Sequence, residues 1–370
     1  MAKKRKRVES GLKEYLEEVA EALPTGEGAA DAADAALHAV ARSRGSAPAV
    51  MGDARMSRQV ERLLHRASAS GTAELAGALG GDGFVRAAKS PWGSYAIGSL
   101  CSAIQRCLAS GQLSAERARS LLLPFAHSSA SSAPVLSLSK PGSHALRSLL
   151  ALLASDSALT DALHAFTAHA LSSLTDRQNP PVFSIACSTT GSAFLQALVR
   201  AHARCNDPRS CDATLAALMR AVFADGHHHP PDNTASSSFT GSMRRRAWMQ
   251  LSKHLSGSHF VQELLNACSS SLAASIYDGV FYKRLSRLAM HRQANHPVQS
   301  LVRKISLHKL GAILHELRNE LGLLAKNNRS GVLSALLQRA HGNGSLHEHA
   351  SVLLFGQLKQ WSEEPLRCEH

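Results

Sequence analysis

A small polar residue followed four positions later by glutamine occurs three times in this 370-residue chain. The segments read TGSAFLQALV from Thr190, GSHFVQELL from Gly257 and ANHPVQSLV from Ala294. In an α-helix, residues four apart lie side by side on one face, so each pair would present two hydrogen-bonding side chains together. Such pairs can hydrogen-bond to a ligand, and their recurrence suggests that the same kind of site is present several times.

The helical wheel of GSHFVQELLNAC separates an apolar half from a polar half. The apolar half contains Phe260, Val261, Leu264, Leu265 and Cys268, and the polar half contains Ser258, His259, Gln262, Glu263 and Asn266. Helix capping explains the first polar residue of each segment, but a capping box places its Glu or Gln three residues later rather than four. We therefore expect Ser258, His259 and Gln262 to face outward while the apolar half packs against neighbouring elements.

Alignment on the small polar residue reveals a repeat. Its members are SRQVE at Ser57, SYAIG at Ser94, SHALR at Ser143, SAFLQ at Ser192, SHFVQ at Ser258, NHPVQ at Asn295 and SGVLS at Ser330. Their separations are 37, 49, 49, 66, 37 and 35 residues, which fits a unit of about 36 residues with loop insertions. The expected loops are SSASS at 128–132, DRQNPP at 176–181 and GHHHPPDNTASSS at 226–238. A helical repeat of this size predicts an α-solenoid.

The composition favours an all-α fold. Hydrophobic residues make up 44% and aromatic residues only 5%, and almost no stretch alternates apolar and polar residues as a half-buried strand would. Two further helices are predicted before the repeats, at 9–23 and 29–42. We expect a basic disordered tail at 1–8, an N-terminal helical segment at 9–45 and a repeat solenoid at 46–370, with a disordered insertion near 226–242.

Several kinds of site are disfavoured. The seven cysteines are scattered without CxxC spacing, which predicts reduced thiols in a cytosolic or nuclear protein. No long apolar run predicts a membrane span. The consecutive histidines at 227–229 lie in a Pro-flanked stretch typical of a solvated loop, and GALGGDG from Gly77 lacks the Lys-Ser/Thr of a phosphate-binding loop. We expect no metal, no cofactor and no enzymatic activity.

The positive charge is concentrated in two places. The formal net charge is +13, of which KKRKR at 3–7 supplies +5. Between Arg244 and Lys309, eleven Lys and Arg residues face only Glu263 and Asp278, a net +9. The terminal tract resembles a nuclear-import signal, and its alternative is a disordered basic tail. The second segment indicates a polyanionic partner, most commonly RNA, and its alternative is a solvated helical surface.

These segments resemble Pumilio-type (PUF) repeats. SHFVQ and NHPVQ have the form of the five-residue RNA-reading motif on the second helix of such three-helix units. The stretch IYDGVFYKRLSRLAMHRQANHPVQSLV, from Ile276 to Val302, is similar to the nucleolar PUF-like family of small-subunit ribosome biogenesis, the "nucleolar protein nine" family. SRQVERLL at Ser57 is similar to that family's early repeats. The resemblance extends roughly from Ser57 to Ala340 and implies a curved superhelix of three-helix repeats.

The resemblance also implies which residues touch RNA. In such motifs, residues one and five bond the edge of a base and residue two stacks between bases. The implied RNA-binding residues are Ser57, Arg58, Glu61, Ser94, Tyr95, Ser143, His144, Arg147, Ser192, Gln196, Ser258, His259, Gln262, Asn295, His296 and Gln299. Candidates for phosphate contact are Arg244, Arg245, Arg246, Lys253 and Arg292.

The base code of the family can be carried over motif by motif. Ser192 with Gln196 and Ser258 with Gln262 would read adenine, and Asn295 with Gln299 would read uracil. Ser57 with Glu61 would read guanine, and Ser143 with Arg147 would suit cytosine. Departures from the motif occur at Gly98, Ala193, Gly331 and Ser334, where weak reading is expected. The family's chains carry more repeats than the seven detected, so the last repeats are either degenerate or missing.

The predicted function is that of a nucleolar RNA-binding protein. It would bind single-stranded precursor ribosomal RNA within the small-subunit particle and assist 18S rRNA maturation by occupancy, as a monomer with no membrane attachment. One alternative is a Pumilio-type regulator of mRNA. Another is a protein-binding scaffold of the armadillo or HEAT kind, in which the repeated glutamines would have no shared role.

Overall fold

The computed structural model describes residues 10–22, 28–43, 47–205, 208–223 and 242–341, with scattered positions between 344 and 356. These residues form helices joined by turns and loops, with no strand among them, which confirms the all-α prediction. The predicted tail at 1–8 and most of the predicted insertion near 226–242 lie outside the described residues. The chain divides into two compact units, the first comprising 1–185 with 193–206 and the second comprising 186–192 with 207–370.

The first unit begins with ten α-helices. They are α1 Ser10–Glu21, α2 Ala29–Arg42, α3 Ala47–Gly52, α4 Met56–Arg66, α5 Ala69–Ala88, α6 Pro91–Ala109, α7 Ala115–Ser131, α8 Ala133–Ser137, α9 Lys140–Leu153 and α10 Thr160–Thr175. A 3-10 turn at Ser157–Leu159 precedes α10. Helices α4, α6 and α9 pack side by side in that order, and α5, α7 and α10 form a second row. Two parallel rows of this kind are what stacked helical repeats produce.

The second unit repeats this plan. Its helices are α13 Pro208–Phe223, α14 Ser242–Lys253, α15 Leu255–Ala267, α16 Ser270–Ile276, α17 Leu285–Ala289, α18 Asn295–Lys304, α19 Leu307–Leu317, α20 Leu321–Lys326 and α21 Ser330–Ala340. A π-helical turn at Tyr277–Phe281 follows α16. Helices α15, α18 and α21 pack side by side. Two further helices, α11 Val182–Cys187 and α12 Thr189–Arg204, contain residues of both units.

Six of the seven predicted motifs lie on the second helix of a three-helix unit, and the seventh lies on α21, which follows α20 in the same way. These second helices are α4, α6, α9, α12, α15, α18 and α21. The second repeat takes its first helix from the end of α5, because Gly80 breaks α5 with φ 58° and ψ −178°. A positive φ of this kind costs glycine little and other residues much.

A buried apolar core holds the repeats together. Its largest fully buried side chains are Trp248, Tyr277, Phe84, Phe125, Phe166, Phe194, Phe260 and Phe281. The rings of Phe84 and Phe125 lie 5.1 Å apart, between the last part of α5 and α7. Full burial of one such ring stabilises the fold by about 1.5–3 kcal/mol, so the rows of helices are fixed mainly by these contacts.

Helix α2 makes the contacts of a third helix in a further, N-terminal repeat. The Asp34 carboxylate accepts a hydrogen bond from the Ser68 backbone N–H at 2.9 Å and a short one from the Ser68 hydroxyl. Asp212 on α13 makes the same pair of bonds to Ser269, with 2.9 Å to the backbone N–H. In addition, α1 packs against α4, and α2 against α4 and α5. The segment predicted at 9–45 therefore packs directly on the repeats.

Two predictions about loops had different outcomes. Residues 176–181 form a loop as expected. SSASS does not: residues 128–131 belong to α7, where the Ser129 hydroxyl donates back to the Phe125 carbonyl and the Ser131 hydroxyl to the His127 carbonyl. Inside a helix, a serine hydroxyl can satisfy its hydrogen-bonding capacity with a backbone carbonyl of the preceding turn. The 49-residue separation before Ser143 instead reflects the long helices α6 and α7, of 19 and 17 residues.

Three global features bear on the predicted site. Among the described helices, none alone is long and apolar enough to cross a bilayer, and the one pair that passes together, α9 with Ser157–Thr175, is bent by 117°. No group of three or more His, Cys, Asp or Glu side chains in the described ranges could hold a metal ion. The six described cysteines are free thiols, and burial raises the pKa of Cys101 to about 12.

Candidate nucleic-acid interface

The helices that carry the motifs begin earlier than the sequence suggested. Five side chains located four residues before the motif accept hydrogen bonds from backbone N–H groups at the helix start: Asp53, Ser139, Ser188, His254 and His291. The motif's own Ser or Asn therefore lies in the first turn rather than at the N-cap. This corrects the capping interpretation of the first motif residue and leaves its side chain available for other bonds.

The second motif position points to solvent. Arg58, Tyr95, His259 and His296 are exposed, with Tyr95 at 51%, and His144 is half-buried. These side chains are flat and can stack on a base, as the resemblance implies. The outward prediction for His259 is confirmed.

The first motif position is buried in six repeats. The residues are Ser57, Ser94, Ser143, Ser192, Ser258 and Asn295, and their exposure is between 0 and 5%. Three of the hydroxyls bond backbone carbonyls: Ser94 donates to Pro91 at 2.8 Å, Ser258 to Leu255 at 2.9 Å and Ser192 to Ser256 at 2.7 Å. The Ser57 hydroxyl has no hydrogen-bond partner among the described residues. The prediction that Ser258 faces outward is therefore wrong, because the residue is 3% exposed and its hydroxyl bonds its own helix. The predicted role of these residues at a base edge stays a prediction.

The fifth motif position lies between these extremes. Glu61, Gln196, Gln262 and Gln299 are half-buried, and Arg147 is exposed. Burial raises the pKa of the Glu61 carboxyl, against the opposing effects of His65 and Arg58. Partial burial restricts each side chain while leaving part of it in contact with solvent. Such a group can bond a ligand at low cost in conformational entropy.

Positions one and five are joined in the sixth repeat. The Gln299 Nε2 donates to the Asn295 Oδ1 at 2.8 Å, and the Asn295 Nδ2 donates to the carbonyls of His291 and Arg292. The Asn295 side chain is thereby fixed by its own helix turn, and it in turn orients the Gln299 amide. The i,i+4 pair seen in the sequence is a real contact in this repeat.

The two motif glycines make room for side chains of neighbouring repeats. A Cβ atom at Gly98 would lie 3.2 Å from the His144 Cε1, and one at Gly331 would lie 2.7 Å from the Gln299 Nε2. The His144 Nδ1 lies 3.2 Å from the Ser94 carbonyl, and burial lowers the pKa of this imidazole. The two glycines lack the side chain expected at their motif positions, and each instead allows close packing between adjacent second helices.

The second unit contains a groove along this face. Its volume is about 470 Å³, and its lining includes His259, Arg292, His296, Gln299 and Arg329. Burial lowers the pKa of His296, and the nearby His259 and Arg329 lower it further. Two permanent cations beside two imidazoles give the groove a positive potential that suits an anionic ligand.

The predicted phosphate-contacting residues differ from one another in their access to the groove. Arg292 lines the groove, and Lys253 lies close enough to help lower the pKa of His291. Arg246 is exposed and Arg245 half-buried on α14, which is a first helix rather than a second. Arg244 belongs to the same helix, and its side chain lies outside the described residues. Among these candidates, Arg292 therefore has the most direct access to the motif face.

Sequence reasoning missed two residues of this face. Arg329 directly precedes the seventh motif, and its Nε donates to the Met290 carbonyl at 3.3 Å. Trp92 lies two residues before Ser94, is 39% exposed, and has the Arg58 guanidinium 5.7 Å from its ring centre. Neither occupies a motif position, so alignment of the motifs could not find them. The signal available was their basic or aromatic type next to a motif.

Rows of second helices that carry one polar motif per repeat define an α-solenoid of the PUF type. The model of the NOP9-like PUF repeat domain matches residues 156–363, more than half of the chain. The chain belongs to the NOP9-like PUF repeat family. The suspected family and the predicted solenoid of three-helix repeats are both confirmed. Comparison with the curated proteins gives no match.

Solved PUF structures share the fold. APUM23 with its insert region deleted and with GGAAUUGACGG aligns with a TM-score of 0.79 at 19% identity over 95% of this chain. The chain spans 65% of that APUM23 chain. The Puf4 RNA-binding domain bound to an HO endonuclease 3′ UTR recognition sequence gives 0.55 at 15% identity, covering 95% of this chain and 91% of its own. Yeast Puf5p bound to SMX2 RNA gives 0.54 at 14% identity, covering 85% and 77%.

Proposed function

We propose that this protein binds single-stranded RNA along the motif face of its second helices. The observation that carries the proposal is the groove of the second unit, where exposed imidazoles, half-buried glutamines and two arginines lie together. Flat side chains stack on bases, amides bond base edges and guanidinium groups attract phosphates. Solved structures of the same fold are described as bound to RNA, which supports the proposal.

The finer proposal concerns the RNA and its cellular place. Membership of the NOP9-like family supports precursor ribosomal RNA as the target and small-subunit maturation in the nucleolus as the process. The basic tract at 3–7 is consistent with nuclear import. The protein would act by covering a segment of single-stranded RNA, without catalysis and as a monomer.

Crosslinking in cells followed by sequencing of the bound RNA tests this target. We expect fragments of small-subunit precursor rRNA to be enriched over a crosslinked variant in which Gln262 and Gln299 are both alanine. Enrichment of mRNA 3′ ends would instead support a Pumilio-type regulator. Recovery of no RNA above that variant would contradict the proposal and favour a protein-binding scaffold.

A further inference from the structure

Four flat side chains lie in two pairs on the motif face of the first unit. Trp92 and Tyr95 lie one turn apart on α6, with exposures of 39% and 51%. The Arg58 guanidinium of α4 lies 5.7 Å from the centre of the Trp92 ring, and the Tyr95 ring lies 5.2 Å from that of His144 on α9. Trp92, flanked by the two second-position residues Arg58 and Tyr95, belongs to a patch of exposed flat side chains on which a flat ligand can stack.

The Arg58 guanidinium and the Trp92 ring lie somewhat closer together than an inserted base would require. Stacked bases repeat about every 3.4 Å, so a base inserted between guanidinium and indole needs about 7 Å between them. The observed 5.7 Å is a cation–π contact between the two groups, and it is short of that opening by about 1 Å. Because the Arg58 side chain is long and exposed, a small rotation can supply the difference.

The charge at this place selects the ligand. A cationic group, such as a methylated ammonium, would be repelled by the Arg58 guanidinium over the ring. A nucleobase is neutral and flat, and its phosphate would be attracted by the same arginine. We propose that Trp92 is an RNA-binding residue outside the repeated motif, and that it stacks an unpaired base against Arg58. This inference rests on the proposed RNA binding and adds a stacking site to it.

Affinity for RNA gives the first test. Binding of a 5′-labelled, random-sequence single-stranded RNA pool is measured by anisotropy for the full chain, Trp92→Ala, Trp92→Phe and Tyr282→Ala. Loss of one aromatic stack is expected to weaken binding about tenfold in Trp92→Ala, while Trp92→Phe retains most of the affinity. Tyr282 is 49% exposed and lies between the π-helical turn and α17, on none of the second helices, so its removal controls for the loss of an exposed aromatic ring.

Tryptophan emission gives a second, independent test on a chain with intact Trp92. In a Trp361→Phe variant the remaining tryptophans are Trp92 and Trp248, and Trp248 is buried at 1% exposure. Stacking of a base on Trp92 should quench emission in proportion to the RNA bound. Bound RNA without quenching, or equal weakening by Trp92→Ala and Trp92→Phe, would overturn the stacking role. If the unsubstituted chain binds no RNA, the proposed function itself fails.

Discussion

The motif faces of the two units carry different chemistry on the same frame. In the first unit the prominent side chains are flat and large, namely Arg58, Trp92 and Tyr95, while the fifth position of the second repeat is Gly98. In the second unit two successive repeats have a polar first residue, a histidine and a glutamine, and arginines line the groove beside them. The first unit is suited to stacking, and the second to bonding base edges and phosphates.

The helix packing beneath these faces is the same in both units. The residue before the motif is glycine in Gly142 of the first unit and Gly257 of the second. A Cβ atom at Gly142 would lie 2.3 Å from the Leu136 carbonyl oxygen, and one at Gly257 would lie 2.7 Å from that of Leu251. In both units the end of the first helix thus packs directly on the start of the second. Differences in function should therefore arise at exposed positions and not in the packing.

The first prediction tests this shared packing. Gly142→Ala and Gly257→Ala should each lower the free energy of unfolding by about 2–3 kcal/mol, because the new methyl group collides with a backbone carbonyl that cannot move alone. Chemical denaturation with hydrogen exchange resolved by unit would measure both. The control is Gly77→Ala, whose Cβ would meet the Leu121 Cδ2 at 3.8 Å and should be neutral or slightly stabilising. A neutral result at Gly142 or Gly257 would show that the packing differs between the two units.

A second prediction concerns the pH dependence of stability in the first unit, which contains His202. The His202 Nε2 lies 2.7 Å from the Thr167 hydroxyl, which itself donates to the Leu163 carbonyl, so this nitrogen must carry the proton. The buried Nδ1 has no partner among the described residues. Burial, with a smaller effect of His164, lowers the pKa of His202 from 6.5 to about 4.

The sign of the effect follows from this depressed pKa. Below pH 6.5 the unfolded chain binds a proton that the folded chain cannot, so stability is full above 6.5 and falls as the pH drops towards 4. The loss should reach about 3 kcal/mol and appear as faster hydrogen exchange in α10 and α12. His202→Gln, which keeps a donor near Thr167, should remove this dependence, whereas the exposed His169→Gln should not. An unchanged pH profile in His202→Gln would contradict the assignment.

The repeat plan was predictable from the sequence, because spacing near 36 residues and helical periodicity act at every repeat. The SSASS loop was not, because serine composition says nothing about whether a hydroxyl bonds back to its own helix, as that of Ser129 does. The exposed second positions followed from the motif. The burial of Ser258 did not, because a helical wheel shows directions around one helix but not the depth of the surrounding packing.

The roles of Gly98 and Gly331 were also out of reach. In the sequence each looks like a lost contact, and only the neighbouring helix shows that His144 and Gln299 use the space. Trp92 stands outside the motif for the same reason, since its partner Arg58 is 34 residues away in the chain and on another helix. Contacts between repeats therefore set the part of the site that a single repeated pattern cannot contain.

The third prediction concerns base reading in the second unit. Gln262→Ala and Gln299→Ala should each weaken RNA binding by about 1–3 kcal/mol, because each removes an amide that bonds a base edge. Anisotropy with RNA selected from a random pool measures this, and the selected sequence should relax at one position per substitution. The exposed Gln250 on α14, a first helix, provides the control Gln250→Ala. Unchanged affinity in both motif variants would assign base reading to the first unit or to neither.

The smallest expected effect concerns phosphate contact. Arg292 lines the groove and is exposed, so Arg292→Gln should weaken binding to all RNA sequences equally. The slope of log affinity against log salt should fall by about 1, as expected for one lost phosphate contact. The exposed Arg117 at the start of α7, which is a third helix in the first unit, gives the control Arg117→Gln. An unchanged salt slope in Arg292→Gln, or a loss confined to one base position, would mean that the groove's positive charge does not hold the RNA backbone and that the two units differ in base contacts alone.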